Sequence, residues 1–264
     1  MFRESSLFGF SKPESPQPTA QESYKVKGEV DEQHVRAELN QIVPGAVQYL
    51  ANENNISHFA RYPLQLLVDM YQAKDSSKPW GLVIASKDDH NGAFYHSGAL
   101  NKLHRSIGSE IHTRVVETAS VQEATALAEK LAGRFGPASY LILRGHGNEM
   151  GIQFGAEGEE GSELQHPDAD PMQESETTEK ASISEFADSI KGVLLPGAGI
   201  CFDSCSTGAS DESIAQELAT QSGHDTAAPT GDSGMIDLGA QVVGRVVKFQ
   251  PKYHEASTRM SKAA

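Results

Sequence analysis

The sequence predicts an α/β fold in which a mostly parallel sheet is flanked by helices and preceded by a small helical prefix. Two observations support this prediction. From residue 79 onward, short apolar runs alternate with amphipathic stretches, and strands that are separated by helices usually form parallel sheets. The apolar runs are also nearly continuous, which is typical of strands that are buried on both faces.

The chain divides into four predicted segments. Residues 1–25 are rich in Ser, Pro and Gln and are predicted to be disordered. Residues 26–78, called the helical prefix below, carry apolar residues at helical spacing on both sides of a break near Pro63. The main domain then spans 79–250, and 251–264 form a C-terminal tail.

Within the main domain, each element follows from its pattern and its ends. Ser120 begins a helix, because Glu123 completes a capping box with it. Gly133 and Gly136-Pro137 are predicted to end this helix. The predicted strands are 81–86, 111–117, 140–143, 199–203, 226–228 and 242–249. The other predicted helices are 98–107, 183–190 and 211–221.

Composition excludes several classes of protein. The 264 residues carry a formal net charge of −14, so a broad face for binding nucleic acid is not expected. No apolar run reaches the roughly 18 residues that a membrane helix needs, and the first residues lack the apolar core of a signal peptide. Two cysteines fit a reducing compartment, so we expect a cytoplasmic protein. The alternative is a bacterial effector delivered into a host cell, since the Ser-, Pro- and Gln-rich start of the sequence resembles the leaders of such effectors.

Much of the acidity belongs to one insert. Residues 155–179 contain nine acidic residues and no Lys or Arg. This segment is polar, rich in Gly, Ser and Pro, and without helical or strand periodicity, so we interpret 155–181 as a mobile loop.

Reactive side chains follow two of the predicted strands. The third strand leads into Gly145-His146-Gly147, and the fourth leads into Asp203-Ser204-Cys205. In open α/β sheets, sites gather at the carboxyl ends of the strands. A thiol beside an imidazole is the minimal equipment for covalent acyl transfer, and flanking glycines leave backbone N–H groups free to face an oxyanion.

These two motifs, LILRGHG and GICFDSCSTG in that order, resemble those of caspase-like cysteine peptidases, which include metacaspases and the clostripain-like and gingipain-like enzymes. The resemblance covers roughly residues 79–250 and implies a caspase-like three-layer sandwich. It makes Cys205 the nucleophile and His146 the general acid/base, with the backbone N–H groups of Gly147 and Cys205 as the oxyanion hole.

The resemblance also implies a substrate. Asp203 matches the position where metacaspases keep an Asp in the S1 pocket, and Asp232 is a candidate second wall of that pocket. We therefore expect an endopeptidase that cleaves after Arg or Lys, because a carboxylate pairs with a cationic side chain and repels an acidic one. Arg144 departs from the pattern, since the family has a small residue there.

Other interpretations stay open. The alternatives to a peptidase are a non-catalytic interaction module with a caspase-like fold, or an enzyme that uses the same dyad for another acyl transfer, such as a deamidase or transpeptidase. The chemistry requires no cofactor; Ca²⁺ binding through Asp168 and Asp170 is a weaker interpretation. Lys180 is a candidate self-cleavage point, and the sequence does not predict the oligomeric state.

The remaining cysteine and several histidines have simpler interpretations. Cys201 lies inside a predicted strand, so we expect it in the core. The spacing of the two cysteines is poor for zinc. His90, His96 and His104 are expected to be solvated.

Overall fold

The computed structural model describes residues 20–95, 98–156, 159–169, 181–231, 238–251 and 258–263. Its helices are α1 (Ala20–Ile42), α2 (Ala46–Asn54), α3 (Leu64–Gln72), α4 (Gly98–Ile107), α5 (Val121–Phe135), α6 (Ile183–Val193) and α7 (Ile214–Ser222), with short 3-10 turns at Phe59–Arg61 and Ala93–Tyr95. Its strands are β1 (Trp80–Ser86), β2 (His112–Thr118), β3 (Ala138–Arg144), β4 (His146–Asn148), β5 (Gly151–Gln153), β6 (Glu163–Gln165), β7 (Ala181–Ser182), β8 (Leu194–Asp203), β9 (Thr226–Pro229), β10 (Leu238–Val243), β11 (Val246–Pro251) and β12 (Thr258–Ser261).

A six-stranded sheet with the order β2-β1-β3-β8-β9-β12 forms the centre of the molecule. The pairs from β2 to β9 are parallel, and β12 is antiparallel to β9. The central strands β1 and β3 are buried along their whole length, as their continuous apolar runs predict. The parallel register brings the carboxyl ends of β1, β3 and β8 to the same edge.

Helices cover both faces of this sheet. One face packs on α5, α6 and α7 through a core that includes Leu141, Phe186 and Leu218. The opposite face packs on the helical prefix, α4 and the β10–β11 hairpin, through a core that includes Leu67, Leu103 and Phe249. The predicted fold class, a three-layer α/β sandwich with a mostly parallel sheet and a helical prefix, is confirmed.

The helical prefix is joined to the sheet by a buried carboxylate at the end of β2. Glu117 is fully buried, and it accepts hydrogen bonds from the backbone and hydroxyl of Ser57, the backbone of His58 and the hydroxyl of Tyr62. Burial raises the pKa of Glu117, but the hydrogen bond and charge of His58 and the hydrogen bonds of Ser57 outweigh it and lower that pKa to about 2. The ionised carboxylate therefore fixes the loop between α2 and α3 against the sheet.

Most predicted elements lie within a few residues of the observed ones, and the predicted cap is present. Ser120 Oγ accepts a hydrogen bond from the Glu123 backbone N–H at 3.1 Å, and α5 begins directly after it. Helix α1 begins at Ala20, inside the segment that we predicted to be disordered. The other predicted segment boundaries stay predictions.

Two predicted elements differ from the structure. The single strand predicted at 242–249 is wrong: the chain turns at Gly244, which has φ 64°, so that β10 and β11 pair as a hairpin. The acidic insert is not entirely loop, since Glu163–Gln165 pairs with β5 and with β7 in a small second sheet that also includes β4. No described helix is long and apolar enough to cross a membrane.

Candidate active site

The two motifs that the sequence singled out meet at one edge of the sheet. Strands β3 and β8 are neighbours, and Arg144 is in register with Asp203 at their carboxyl ends. The pairing continues one residue further, where the Gly145 N–H donates to the Asp203 carbonyl at 3.4 Å. His146 and Cys205 therefore follow the ends of two adjacent strands, which is the condition for them to share one edge of the sheet.

The glycine after His146 packs directly on the residues that flank Cys205. A Cβ at Gly147 would collide with Ser204 Oγ and would lie 3.2 Å from Thr207 Cγ2. A larger residue at position 147 would thus separate β4 from the Ser204–Thr207 segment. This close approach is the structural reason for a glycine here.

Cys205 lies on a tight turn that is fixed on both sides. The next residue, Ser206, has φ 53°, a left-handed conformation that is uncommon for a residue with a side chain. The Ser206 N–H donates to the Gly231 carbonyl at 2.9 Å, and the Gly208 N–H donates to the Pro229 carbonyl at 2.8 Å. The turn holds Cys205 at a partly exposed position.

The other cysteine has the opposite environment. Cys201 is fully buried within β8, as predicted. Burial, and then the charge of Asp203, raise the pKa of the Cys201 thiol well above its ordinary value. A thiol of that kind is a poor nucleophile, because only the thiolate attacks.

His146 is held by a buried carboxylate that the motifs did not reveal. Its Nε2 lies 3.2 Å from Oδ1 of Asp89, whose side chain is fully buried just beyond the end of β1. Oδ2 of Asp89 accepts a hydrogen bond from the Phe94 N–H at 3.1 Å. Burial raises the pKa of Asp89, but the hydrogen bond from His146 and the charge of Arg61 outweigh it, so the pKa lies below its usual value.

The Asp89 contact determines which imidazole nitrogen is available as a base. An ionised carboxylate only accepts hydrogen bonds, so Nε2 of the neutral His146 ring carries the proton. The remaining nitrogen, Nδ1, then has the lone pair. Two rings support this orientation, since the His146 ring centroid lies 4.1 Å from that of His90 and 4.8 Å from that of Phe94.

The candidate S1 residue Asp203 already has a cationic partner. Asp203 is buried, and its Oδ2 lies 3.1 Å from Nε of Arg144, whose side chain is also buried. The guanidinium of Arg144 further donates to the Phe94 carbonyl at 3.2 Å and faces the Phe94 ring. A basic substrate side chain would therefore have to share the Asp203 carboxylate with Arg144.

Sequence reasoning missed Asp89 and the ring of His90. Both follow the carboxyl end of β1, so the rule that drew attention to His146 and Cys205 applies to them equally. His90 is exposed, as predicted, although its ring stacks on His146. The prediction for His104 is wrong, because its ring is largely buried and its Nε2 lies 3.0 Å from Asp69 Oδ2.

Several predicted positions fall outside the described residues, namely Asp232, Lys180, Asp170 and His96. Asp168, the described half of the candidate Ca²⁺ pair, is exposed and lies 3.9 Å from the ring of His166. Among the residues that the structure describes, no group of three His, Cys, Asp or Glu side chains is arranged to hold a metal ion.

Comparison with solved structures finds a likeness to a secreted C11 cysteine protease from Bacteroides thetaiotaomicron, determined by X-ray crystallography in complex with an irreversible peptide inhibitor. The TM-score is 0.37 and the sequence identity is 12%, over 60% of this chain and 50% of that chain. The matched region thus spans about half the length of that protease. No protein-family model matches the sequence, and no curated protein matches it.

Proposed function

We propose that the protein is a cysteine endopeptidase in which Cys205 is the nucleophile and His146 is the general acid/base. One observation carries the proposal: Gly147 packs on Ser204, which precedes a partly exposed cysteine, while a buried carboxylate contacts the neighbouring His146. A nucleophile, a base and a group that orients the base are the parts that covalent acyl transfer requires.

The reaction proceeds in two stages. His146 Nδ1 takes the proton from the Cys205 thiol, and the thiolate attacks the substrate carbonyl carbon to form a tetrahedral oxyanion. When the oxyanion collapses, the peptide C–N bond breaks, the His146 imidazolium protonates the leaving amine, and a thioester remains. Water, deprotonated by His146, then attacks the thioester and releases the acid product and the thiol.

The proposed oxyanion hole lies in the same two segments as the dyad. The backbone N–H groups of Gly147 and Cys205 are proposed to bind the oxyanion, as the resemblance implies. Gly147 lies beside Ser204 in the structure, so the two proposed donors belong to segments in contact. Donors that are already in place stabilise the developing charge without reorganisation.

Selective alkylation of Cys205 tests the dyad. At pH 6, an unperturbed thiol with a pKa of about 8.5 is less than about 1% thiolate, whereas a thiol paired with His146 reacts as an ion pair. We expect iodoacetamide to label Cys205 at pH 6 at least about tenfold faster in the wild type than in His146→Ala, and not to label Cys201 in the folded protein. Peptide mass spectrometry locates the label.

His34→Ala is the matched control, because His34 is exposed and lies beside Glu38 on the same helix. This variant should label like the wild type. Equal labelling rates in the wild type and His146→Ala would contradict the dyad.

A preference for Arg or Lys at P1 is the finer part of the proposal. A carboxylate has enough acceptor sites to bind two cations, so Asp203 can receive a basic side chain while it remains paired with Arg144. We expect a P1 peptide library to favour Arg and Lys over norleucine, and Asp203→Asn to lower that ratio at least about tenfold.

The selectivity ratio separates recognition from folding, since loss of the buried Asp203–Arg144 pair also lowers stability. Asp211→Asn is the control, because Asp211 is exposed and paired with Arg259. A wild-type enzyme that is active but indifferent to P1 charge would refute the role of Asp203 and leave the dyad intact.

A further inference from the structure

An arginine of the helical prefix reaches the end of β1 beneath the candidate active site. Arg61 belongs to the 3-10 turn Phe59–Arg61 and is buried. Its Nη1 donates to the carbonyl of Ser86 at 3.0 Å and to that of Lys87 at 3.2 Å. The prefix therefore binds the chain at the point where β1 leads into the loop that carries Asp89.

The same guanidinium faces the carboxylate that holds His146. Arg61 Nε lies 3.9 Å from Asp89 Oδ2, and the other oxygen of Asp89 lies 3.2 Å from His146 Nε2. The side chain of Asp89 is fully buried, and a buried carboxylate needs compensating charge and hydrogen bonds to remain ionised. Arg61 provides that charge from outside the main domain.

Arg61 also contacts the cysteine side of the site. Its backbone carbonyl accepts a hydrogen bond from Arg144 Nη1 at 3.5 Å, and Arg144 pairs with Asp203, two residues before Cys205. One residue of the prefix is thus linked to both halves of the candidate dyad.

We propose that Arg61 is a positioning residue that acts through Asp89, keeping the carboxylate ionised and in place so that His146 presents Nδ1 to Cys205. Catalytic competence then depends on docking of the helical prefix. This inference rests on the proposed function, but its central step, the coupling of Arg61 to His146, is measurable without any substrate.

The sign of the effect follows from the charges around Asp89. The groups that face it are Arg61 from the prefix and His146 from β4, with His90 and Asp88 in its own loop and Arg144 behind Phe94. In the wild type, the Asp89 carboxylate lies between the guanidinium of Arg61 and the imidazole of His146. Without Arg61, the buried carboxylate loses its cationic partner and its pKa rises. A protonated Asp89 donates a hydrogen bond to Nε2 instead of accepting one, so the proton of the neutral ring moves to Nδ1 and the lone pair proposed to act on Cys205 is lost.

The test is a double-mutant cycle on the full chain, in which 15N NMR chemical shifts report how the proton of the neutral His146 ring is shared between its two nitrogens. Arg61→Gln keeps N–H donors for the carbonyls of Ser86 and Lys87 but removes the charge. We expect it to lower the ratio of the Nε2–H to the Nδ1–H tautomer of His146 at least about threefold, and to lower kcat about tenfold with KM changed less than about twofold. Arg61→Lys, which restores the charge, should recover most of both effects.

The Asp89→Asn background shows whether Arg61 acts through the carboxylate. There, Arg61→Gln should change neither the tautomer ratio of His146 nor kcat by more than about 1.5-fold. This double variant buries no net charge at the Arg61–Asp89 pair, so it can be compared with Asp89→Asn even if Arg61→Gln alone does not fold. An undiminished change of the tautomer ratio in that background would overturn the proposal.

Arg36→Gln is the matched control, because Arg36 is a guanidinium of the same prefix that contacts Glu32, the Ser57 carbonyl and the Phe59 ring. It should leave the tautomer ratio of His146 unchanged. Lower thermal stability in Arg61→Gln with an unchanged tautomer ratio would mean a merely structural role and would overturn the inference. A changed tautomer ratio in a protein that cleaves no peptide would refute the peptidase and leave the coupling of Arg61 to His146 standing.

Discussion

Cys205→Ala is expected to abolish peptide hydrolysis, with kcat/KM falling by at least about 10⁴-fold. The methyl group cannot form the thioester, and Ser204, the adjacent hydroxyl, is buried against Gly147. Cys205 is partly exposed, so its loss should change the free energy of unfolding by less than about 1 kcal/mol. Steady-state cleavage of a fluorogenic peptide and urea unfolding measure the two effects.

Cys201→Ala is the control that the chain itself offers, since Cys201 lies four residues earlier, inside β8. Removing this fully buried sulfur should cost about 1–2 kcal/mol of stability and leave kcat within about twofold. The two cysteines therefore have opposite expected phenotypes. If Cys205→Ala retained activity while folded, the nucleophile would have to be a different residue.

Glu117→Gln is expected to lower the free energy of unfolding by about 3 kcal/mol at pH 7. The carboxylate accepts hydrogen bonds from three residues of the prefix, and an amide cannot satisfy the same donors. The pKa of Glu117 is about 2 in the folded protein against 4.5 without perturbation. Because the folded-state pKa is the lower one, this stabilisation is complete above about pH 4.5 and is lost as the pH falls towards 2.

Urea unfolding of the wild type and Glu117→Gln at a series of pH values measures the loss of unfolding free energy and the direction in which it changes with pH. The difference between them should be largest at neutral pH and should shrink steadily below about pH 4.5. Glu53→Gln is the control, since Glu53 is a partly exposed partner of Lys130 and Arg134, and should cost less than about 1 kcal/mol at any pH. A difference for Glu117→Gln that does not depend on pH would contradict the proposed role of its charge.

The architecture was largely predictable because local patterns and parallel topology agree. Continuous apolar runs identified β1, β3 and β8, and the rule that sites collect at carboxyl ends drew attention to His146 and Cys205, which follow two neighbouring strands. The capping pair Ser120 and Glu123 located the start of α5 to the residue. These features depend on short stretches of sequence, which explains why a single sequence reveals them.

The missed features depend on contacts between distant segments. The run VVGRVVKF has the apolar content of one strand, and only the turn conformation at Gly244 divides it. The charges of Arg61 and Arg144 would be expected on the surface. Both are buried because each has a buried carboxylate as its partner, Asp89 for Arg61 and Asp203 for Arg144. A partner 28 positions away along the chain, as Arg61 is from Asp89, leaves no local pattern.

The rate at which Cys201 is modified reports how often the central sheet opens. Its sulfur is inaccessible to a thiol reagent while β8 stays paired with β3 and β9, so modification requires local or global unfolding of these strands. The chain thus carries two thiol reporters four residues apart: Cys205 for the reactivity of the native state, and Cys201 for the frequency of unfolding.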